Sequence, residues 1–226
     1  MGKSYKLNFP LVIVGTLLLV AYLPAVLWWT SRFRLPVVFT YMRNFIHVGL
    51  LIAWAVSLCY RIIHAQVRRY LVSIALLMLF LILLKTLKYY FVFGIDPTRA
   101  LWYAYYIPLL LIPTLAVLIA LLLGKPENYQ VPGRAKILLI FAAILILLVL
   151  TNDLHNIIFS FPAGQPQSDR TAIYNVAYYL VLGWECLAGI AAIVLFISKC
   201  RIPQSRTVLW SPLLLLSLSI LYGVLY

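Results

Sequence analysis

The chain has 226 residues, of which 65% are hydrophobic and only 10% charged, where a soluble domain is nearer half apolar and a quarter charged. Too few polar residues remain to cover a water-facing surface, which excludes a soluble enzyme, a disordered chain, collagen or a disulfide scaffold. The net charge is +13, from 18 Lys+Arg against 5 Asp+Glu; the basic residues sit mostly between apolar runs, so membrane lipids with anionic headgroups, and no nucleic acid, are the expected partners.

A helix that crosses a bilayer needs roughly 20 mostly apolar residues. Seven such runs occur, near 7–29, 37–60, 71–94, 101–123, 137–160, 175–198 and 208–226. They are too long, and alternate too little, for barrel strands. The expected fold is therefore all-α: a polytopic membrane helix bundle with seven transmembrane helices. The first run follows Lys3 and Lys6 but is long and ends in Leu27-Trp28-Trp29 with no small-residue cleavage site. Residues 1–36 read as a retained amino-terminal anchor helix and a short loop. Loops are expected at Thr30 to Pro36, Arg61 to Tyr70, Gly94 to Ala100, Gly124 to Lys136, Pro162 to Tyr174 and Lys199 to Arg206.

Basic residues set the orientation. The amino terminus and the second, fourth and sixth loops carry eleven Lys and Arg; the first, third and fifth loops carry four. The amino terminus is expected in the cytoplasm. The seventh run then ends outside, at Tyr226, and a further helix returning to the cytoplasm is expected beyond it. Absence of an internal repeat speaks against an inverted-repeat transporter.

Charges at membrane depth are costly and need partners. Arg43, His47, Lys85, Lys88, Asp153, His155 and Glu185 all fall in apolar runs. With the orientation above and ~1.5 Å of rise per residue, Glu185 lies near the bilayer middle and the others in the outer half. Lys85 and Lys88 are three apart, on one helix face, and can face Asp153 or Glu185 across a bundle. Two readings fit: an ion-pair network that locks helices together, or an outward-facing pocket for an anionic or polar ligand with Arg43 at its rim. A permeation path would distribute polar residues through both halves. His47 by itself reads as a hydrogen-bonded packing residue.

Leu101-Trp102-Tyr103-Ala104-Tyr105-Tyr106 opens the fourth run, and Tyr89, Tyr90, Tyr178 and Tyr179 lie at similar depth. They read as an interfacial aromatic belt or as lining of the same pocket. Pro108 and Pro113 either kink the fourth helix or are accommodated in it. Gly183, Ala188 and Gly189 read as small residues for close helix packing. Cys59, Cys186 and Cys200, lacking any metal spacing, read as small buried residues. No phosphate-binding glycine loop, H-E-x-x-H or nucleophile elbow is present, so no catalytic residue, metal or cofactor is expected. Asp153 and His155, two apart on a helix, make a poor catalytic dyad.

Thr151-Asn152-Asp153-Leu154-His155, at the outer end of the fifth run, resembles the T-N-x-x-H signature of the amino-terminal seven-helix region of bacterial histidine kinases, a sensor input module. Leu101-Trp102-Tyr103 through Leu123-Gly124-Lys125-Pro126-Glu127 looks like that family's third helix and following loop. Tyr41-Met42-Arg43 to Arg69 and Gly183-Trp184 to Arg206 are similar as well, so the likeness covers residues 37–226. The family module begins outside; here an extra helix precedes it, the motif falls on the module's fourth helix, and the module lacks its seventh. The resemblance implies Thr151, Asn152 and His155 as motif residues, either structural or ligand-facing, while Asp153 fills a variable slot. It also implies a bacterial cytoplasmic membrane, a cytoplasmic output domain, with any kinase activity belonging to a longer protein, and pairing as a homodimer. The expected function is a sensory input domain that detects an unknown small ligand at the outer face or in the membrane. The expected site is Lys85, Lys88, Asp153, His155, Glu185 and Arg43. A multi-pass transporter or channel is the alternative, and a membrane enzyme a weaker one.

Overall fold

The computed structural model describes residues 37–199, apart from 93, 127, 128 and 165, with the side chains of 37–43, 61 and 90 also outside the description. The anchor run at 7–29 and the seventh run at 208–226 lie outside the described residues. What is described is mostly helical. It falls into two compact units, one ending at Pro108 and the other starting at Leu109.

In the first unit, α1 (Val37–Arg61) and α2 (Ala65–Thr86) form a helical hairpin. Only Ile62, Ile63 and His64 separate them, so the loop expected at Arg61 to Tyr70 is mostly helix. The early start has a local cause. His64 is extended (φ −66°, ψ 107°) and its Nδ1 accepts the Val67 amide at 3.5 Å, occupying one of the donors that a helix start leaves open. Arg68 donates to the Ile62 carbonyl at 3.3 Å across the same corner. At the far end of the hairpin Asn44 Nδ2 reaches Thr86 Oγ1 at 3.4 Å. No Gly or Pro interrupts residues 65 to 93, and α2 continues into a π turn at Leu87–Phe91, closed by Val92 N–H to the Leu87 carbonyl at 3.0 Å. Gly94 has φ 124° and ψ 153°, a region open essentially to glycine alone. It turns the chain into α3 (Ile95–Ala104), six residues before the expected start, with Pro97 in the first turn where no amide partner is needed.

Helix α4 (Tyr106–Leu122) starts after a break at Tyr105, three residues ahead of Pro108, and runs through Pro113. Pro108 lacks the amide that would bond the Ala104 carbonyl, which accounts for the break. The second unit continues with α5 (Gly133–Leu150), a single turn α6 (Asn152–His155), strands β1 (Phe159–Ser160) and β2 (Ile173–Tyr174), and α7 (Val176–Lys199). The strands pair antiparallel, Phe159 opposite Tyr174 and Ser160 opposite Ile173. The fifth run thus leaves its helix at Leu150 rather than at 160, and its last residues pair as a short strand.

Four stretches are long and apolar enough to cross a membrane: Ala65–Tyr89, Ile95–Leu122, Gly133–Leu150 and Val176–Lys199. A shorter apolar helix spans Asn44–Tyr60. Helices α5 and α7 show why water is not their solvent. Past its first turn, α5 exposes apolar residues that include Ile137, Ile140, Phe141, Ile144 and Leu147, and those exposed on α7 include Leu180, Leu187, Ile190, Val194 and Ile197. Outward faces this apolar are stable only against hydrocarbon. The described part of the chain is mostly helical and has the apolar spans of a multi-pass membrane protein.

Within the second unit Val117, Ala188 and Ala192 form a buried cluster, with Leu121, Leu138, Leu195 and Phe196 packed against it. Ala188 does serve close packing as expected. Gly183 and Gly189 do not, since an added Cβ at either meets nothing within 4 Å. Cys59 and Cys186 are exposed rather than buried; on helices in a bilayer a thiol tolerates a lipid contact because it is a weak hydrogen-bonding group. Cys200 lies outside the described residues.

Candidate functional site

The expected site residues divide between the units. Arg43 is on α1, and its side chain lies outside the described residues. Lys85 is in the last turn of α2 and Lys88 in the π turn that follows. The helical spacing argument that put them on one face stops at Thr86, because a π turn carries more residues per turn than an α-helix. The two lysines differ accordingly: Lys85 is half-buried, Lys88 only 6% exposed. Lys88 Nζ lies 5.4 Å from the centre of the Tyr89 ring and 5.5 Å from that of Tyr105. The negative faces of the rings offset part of the cost of burying its charge. Trp102, Tyr103, Tyr105 and Tyr106 are all buried, Trp102 and Tyr103 with ring centres 5.3 Å apart. They form an interior aromatic cluster. Tyr89, by contrast, is exposed. Nearby, Arg99 pairs with Asp96 at 3.1 Å, one turn along α3.

The T-N-D-L-H residues are built as one hydrogen-bonded turn. Thr151 ends α5: its amide and its hydroxyl both donate to the Leu147 carbonyl, at 2.9 and 2.7 Å. His155, four residues on, returns over Thr151, with Nε2 3.3 Å from Thr151 Oγ1. His155 Nδ1 accepts the Ile157 amide at 3.1 Å, so Nε2 carries the proton and donates to Thr151. Asn156 then adopts the left-handed conformation, φ 49° and ψ 31°, and its amide closes onto the Asn152 carbonyl at 2.7 Å. This is the end signal of a helix, with Asn in glycine's usual place.

Asn152 points inward and is fully buried. Its Oδ1 accepts the amides of Ile158 at 3.0 Å and Phe159 at 2.9 Å, and its Nδ2 donates to the Phe159 carbonyl at 2.9 Å. The spacing of the motif explains the division of labour. Residues four apart share a helix face, so Thr151 and His155 meet on the outside while Asn152, next to Thr151, faces the interior. Asp153 and Leu154 are exposed. Thr151, Asn152 and His155 all make hydrogen bonds that hold this turn together.

Asn175 is the residue that sequence reasoning missed. It precedes α7 and fastens the other end of the segment. Its amide donates to the Ile158 carbonyl at 2.9 Å, its Nδ2 to the Asn156 carbonyl at 2.9 Å, and its Oδ1 accepts from Ser160 Oγ at 3.2 Å. The position of an Asn just before an apolar run is a helix-start signal, but its partners lie 15 to 19 residues back. The ring of Phe159, fully buried, packs on Tyr174 and Tyr178 with centres 5.7 and 5.8 Å apart. Asn152 and Asn175 together therefore bind the end of α5 to the start of α7.

Glu185 stands apart from this turn. It is nine residues into α7, about 14 Å along the axis from Val176 at 1.5 Å per residue. It is half-buried and makes no hydrogen bond or ion pair among the described residues. Its neighbour Trp184 donates Nε1–H to Thr114 Oγ1 at 3.2 Å and packs on Phe141, ring centres 4.6 Å apart. No group of three or more His, Cys, Asp or Glu able to hold a metal occurs among the described residues. No protein-family model, curated protein or solved structure matches the chain.

Proposed function

We propose that the chain is the membrane-embedded sensory input part of a bacterial signal-transduction protein. In this reading seven transmembrane helices cross the cytoplasmic membrane with the amino terminus inside. A small extracytoplasmic or membrane ligand shifts the helix arrangement, and the shift passes to a cytoplasmic output domain. Such a shift requires that the ligand bind one arrangement more tightly than the other.

The observation that supports this best is the double clasp by Asn152 and Asn175. It joins two membrane-crossing helices, α5 and α7, through one short hydrogen-bonded segment. A ligand that engages residues 156–175 acts on both helices together, and in the proposed orientation that segment faces the exterior. The motif resembling the kinase input module lies within this clasp. Asp153, exposed on it, is the proposed ligand contact there, and Lys85 and Lys88 are proposed contacts in the first unit.

The test is a chimera in which the chain drives the cytoplasmic part of a histidine kinase with a transcriptional reporter. Loosening the clasp with Asn152→Ala, at unchanged membrane level, is expected to shift reporter output several-fold. Unchanged output, together with solute flux in proteoliposomes of the purified chain, would replace the sensor reading with a transporter.

A further inference from the structure

Three helix ends of the second unit meet at the end opposite the clasp. Lys199, the last residue of α7, donates from Nζ to the carbonyls of Ala120 at 2.8 Å and Leu121 at 2.9 Å, in the last turn of α4. Leu121, Leu138, Leu195 and Phe196 pack on one cluster, which sets the ends of α4 and α7 beside the start of α5. One turn above that cluster the residues become basic. Lys125, Arg134 and Lys136 are all exposed. Lys125 lies 5.4 Å from the centre of the Tyr129 ring. Val131, buried, anchors the connecting loop. Carboxylates are scarce here: Glu127 is the single one from Thr114 to Ile140, and none occurs from Cys186 to Tyr226. The start of α5 adds backbone amides that an anion can accept.

Directly below Arg134 and Lys136, Ile137, Ile140, Ile144 and Leu147 are exposed along α5. A cationic crown continuous with an exposed apolar stripe fits an amphiphile, with phosphate at one end and hydrocarbon along the other, better than it fits a soluble anion. We propose that Arg134 and Lys136, which leave α5 on either side of this stripe, together with Lys125 at the end fixed by Lys199, attract the phosphate of an anionic phospholipid whose acyl chain lies along the Ile137–Leu147 face of α5. The inference is independent of the sensor reading, since it concerns lipid occupancy and not signalling.

The test uses the full chain purified in a zwitterionic micelle and titrated with phosphatidylglycerol, phosphatidylcholine or inorganic phosphate, with bound lipid read by native mass spectrometry and stability by thermal unfolding. Wild type is expected to retain phosphatidylglycerol selectively and to gain thermal stability from it. The double variant Arg134→Gln, Lys136→Gln is expected to bind it about tenfold more weakly or worse, with unchanged unfolding when only phosphatidylcholine is present. The charge-conserving Arg134→Lys, Lys136→Arg variant is expected to keep most of the affinity. Equal retention of both lipids by wild type would overturn the proposal, as would equal stabilisation by inorganic phosphate or full phosphatidylglycerol binding by the glutamine variant. The wild-type comparison decides the matter even if the glutamine variant does not fold.

Discussion

The carboxamide of Asn152 grips the backbone of Phe159 from both sides, accepting its amide and donating to its carbonyl, each at 2.9 Å. A side chain here takes the place of a neighbouring strand. The three backbone groups that Asn152 satisfies sit in residues with no exposed surface. Asn152→Ala leaves them without partners, and a loss of about 3 kcal/mol is expected from buried groups each costing about 1 kcal/mol or more. Hydrogen exchange at the Ile158 and Phe159 amides should accelerate with it. Asn152→Asp keeps the acceptor and sets a second oxygen against the Phe159 carbonyl, so it should destabilise as well.

Asn156 tests the turn from its backbone. At φ 49° a side chain with a Cβ is strained, and Asn tolerates this region better than most residues. Asn156→Gly is expected to be neutral or slightly stabilising in thermal unfolding. Asn156→Val should cost about 1–2 kcal/mol, although its side chain makes no bond that the turn depends on.

Trp184 and Thr114 link α7 to α4 by a hydrogen bond inside a membrane-crossing region. Trp184→Phe removes the N–H and leaves an aromatic ring for Phe141. A double-mutant cycle with Thr114→Val should return a coupling near ~0.6 and at most ~1.7 kcal/mol, the range for such bonds in bilayers. Additive losses would show that the two side chains act independently.

Lys199 acts as a cap for a helix other than its own. The Ala120 and Leu121 carbonyls belong to the last turn of α4, where orphan acceptors and the negative end of the dipole gather. Lys199→Met should lower stability by about 1–2 kcal/mol, and Lys199→Arg should restore most of it in the same unfolding measurement.

Helical content and bilayer solvent were legible in the residues because both depend on local composition: long Leu, Ile, Ala and Val runs with no polar face admit few other structures. The T-N-D-L-H motif was legible as a feature of a helix end. Its mechanism was not, because the partners of Asn152 are backbone groups six and seven residues away across a reversal of the chain. Any residue type can supply such groups, so they leave no mark in the sequence. The same holds for the three-residue corner at Ile62 to His64, which an apolar-run count extends to a long loop.

Composition alone decided that this chain lives among lipids, since burying so much hydrocarbon needs no particular arrangement. Tertiary structure alone decided which polar groups meet: Lys88 with the Tyr89 and Tyr105 rings, Asn175 with Asn156, Lys199 with the end of α4. Hydrophobic transfer is non-directional and sums over residues, whereas a hydrogen bond or a cation over a ring exists only at one distance and angle. Those distances are set where separate helices pack and where the chain reverses.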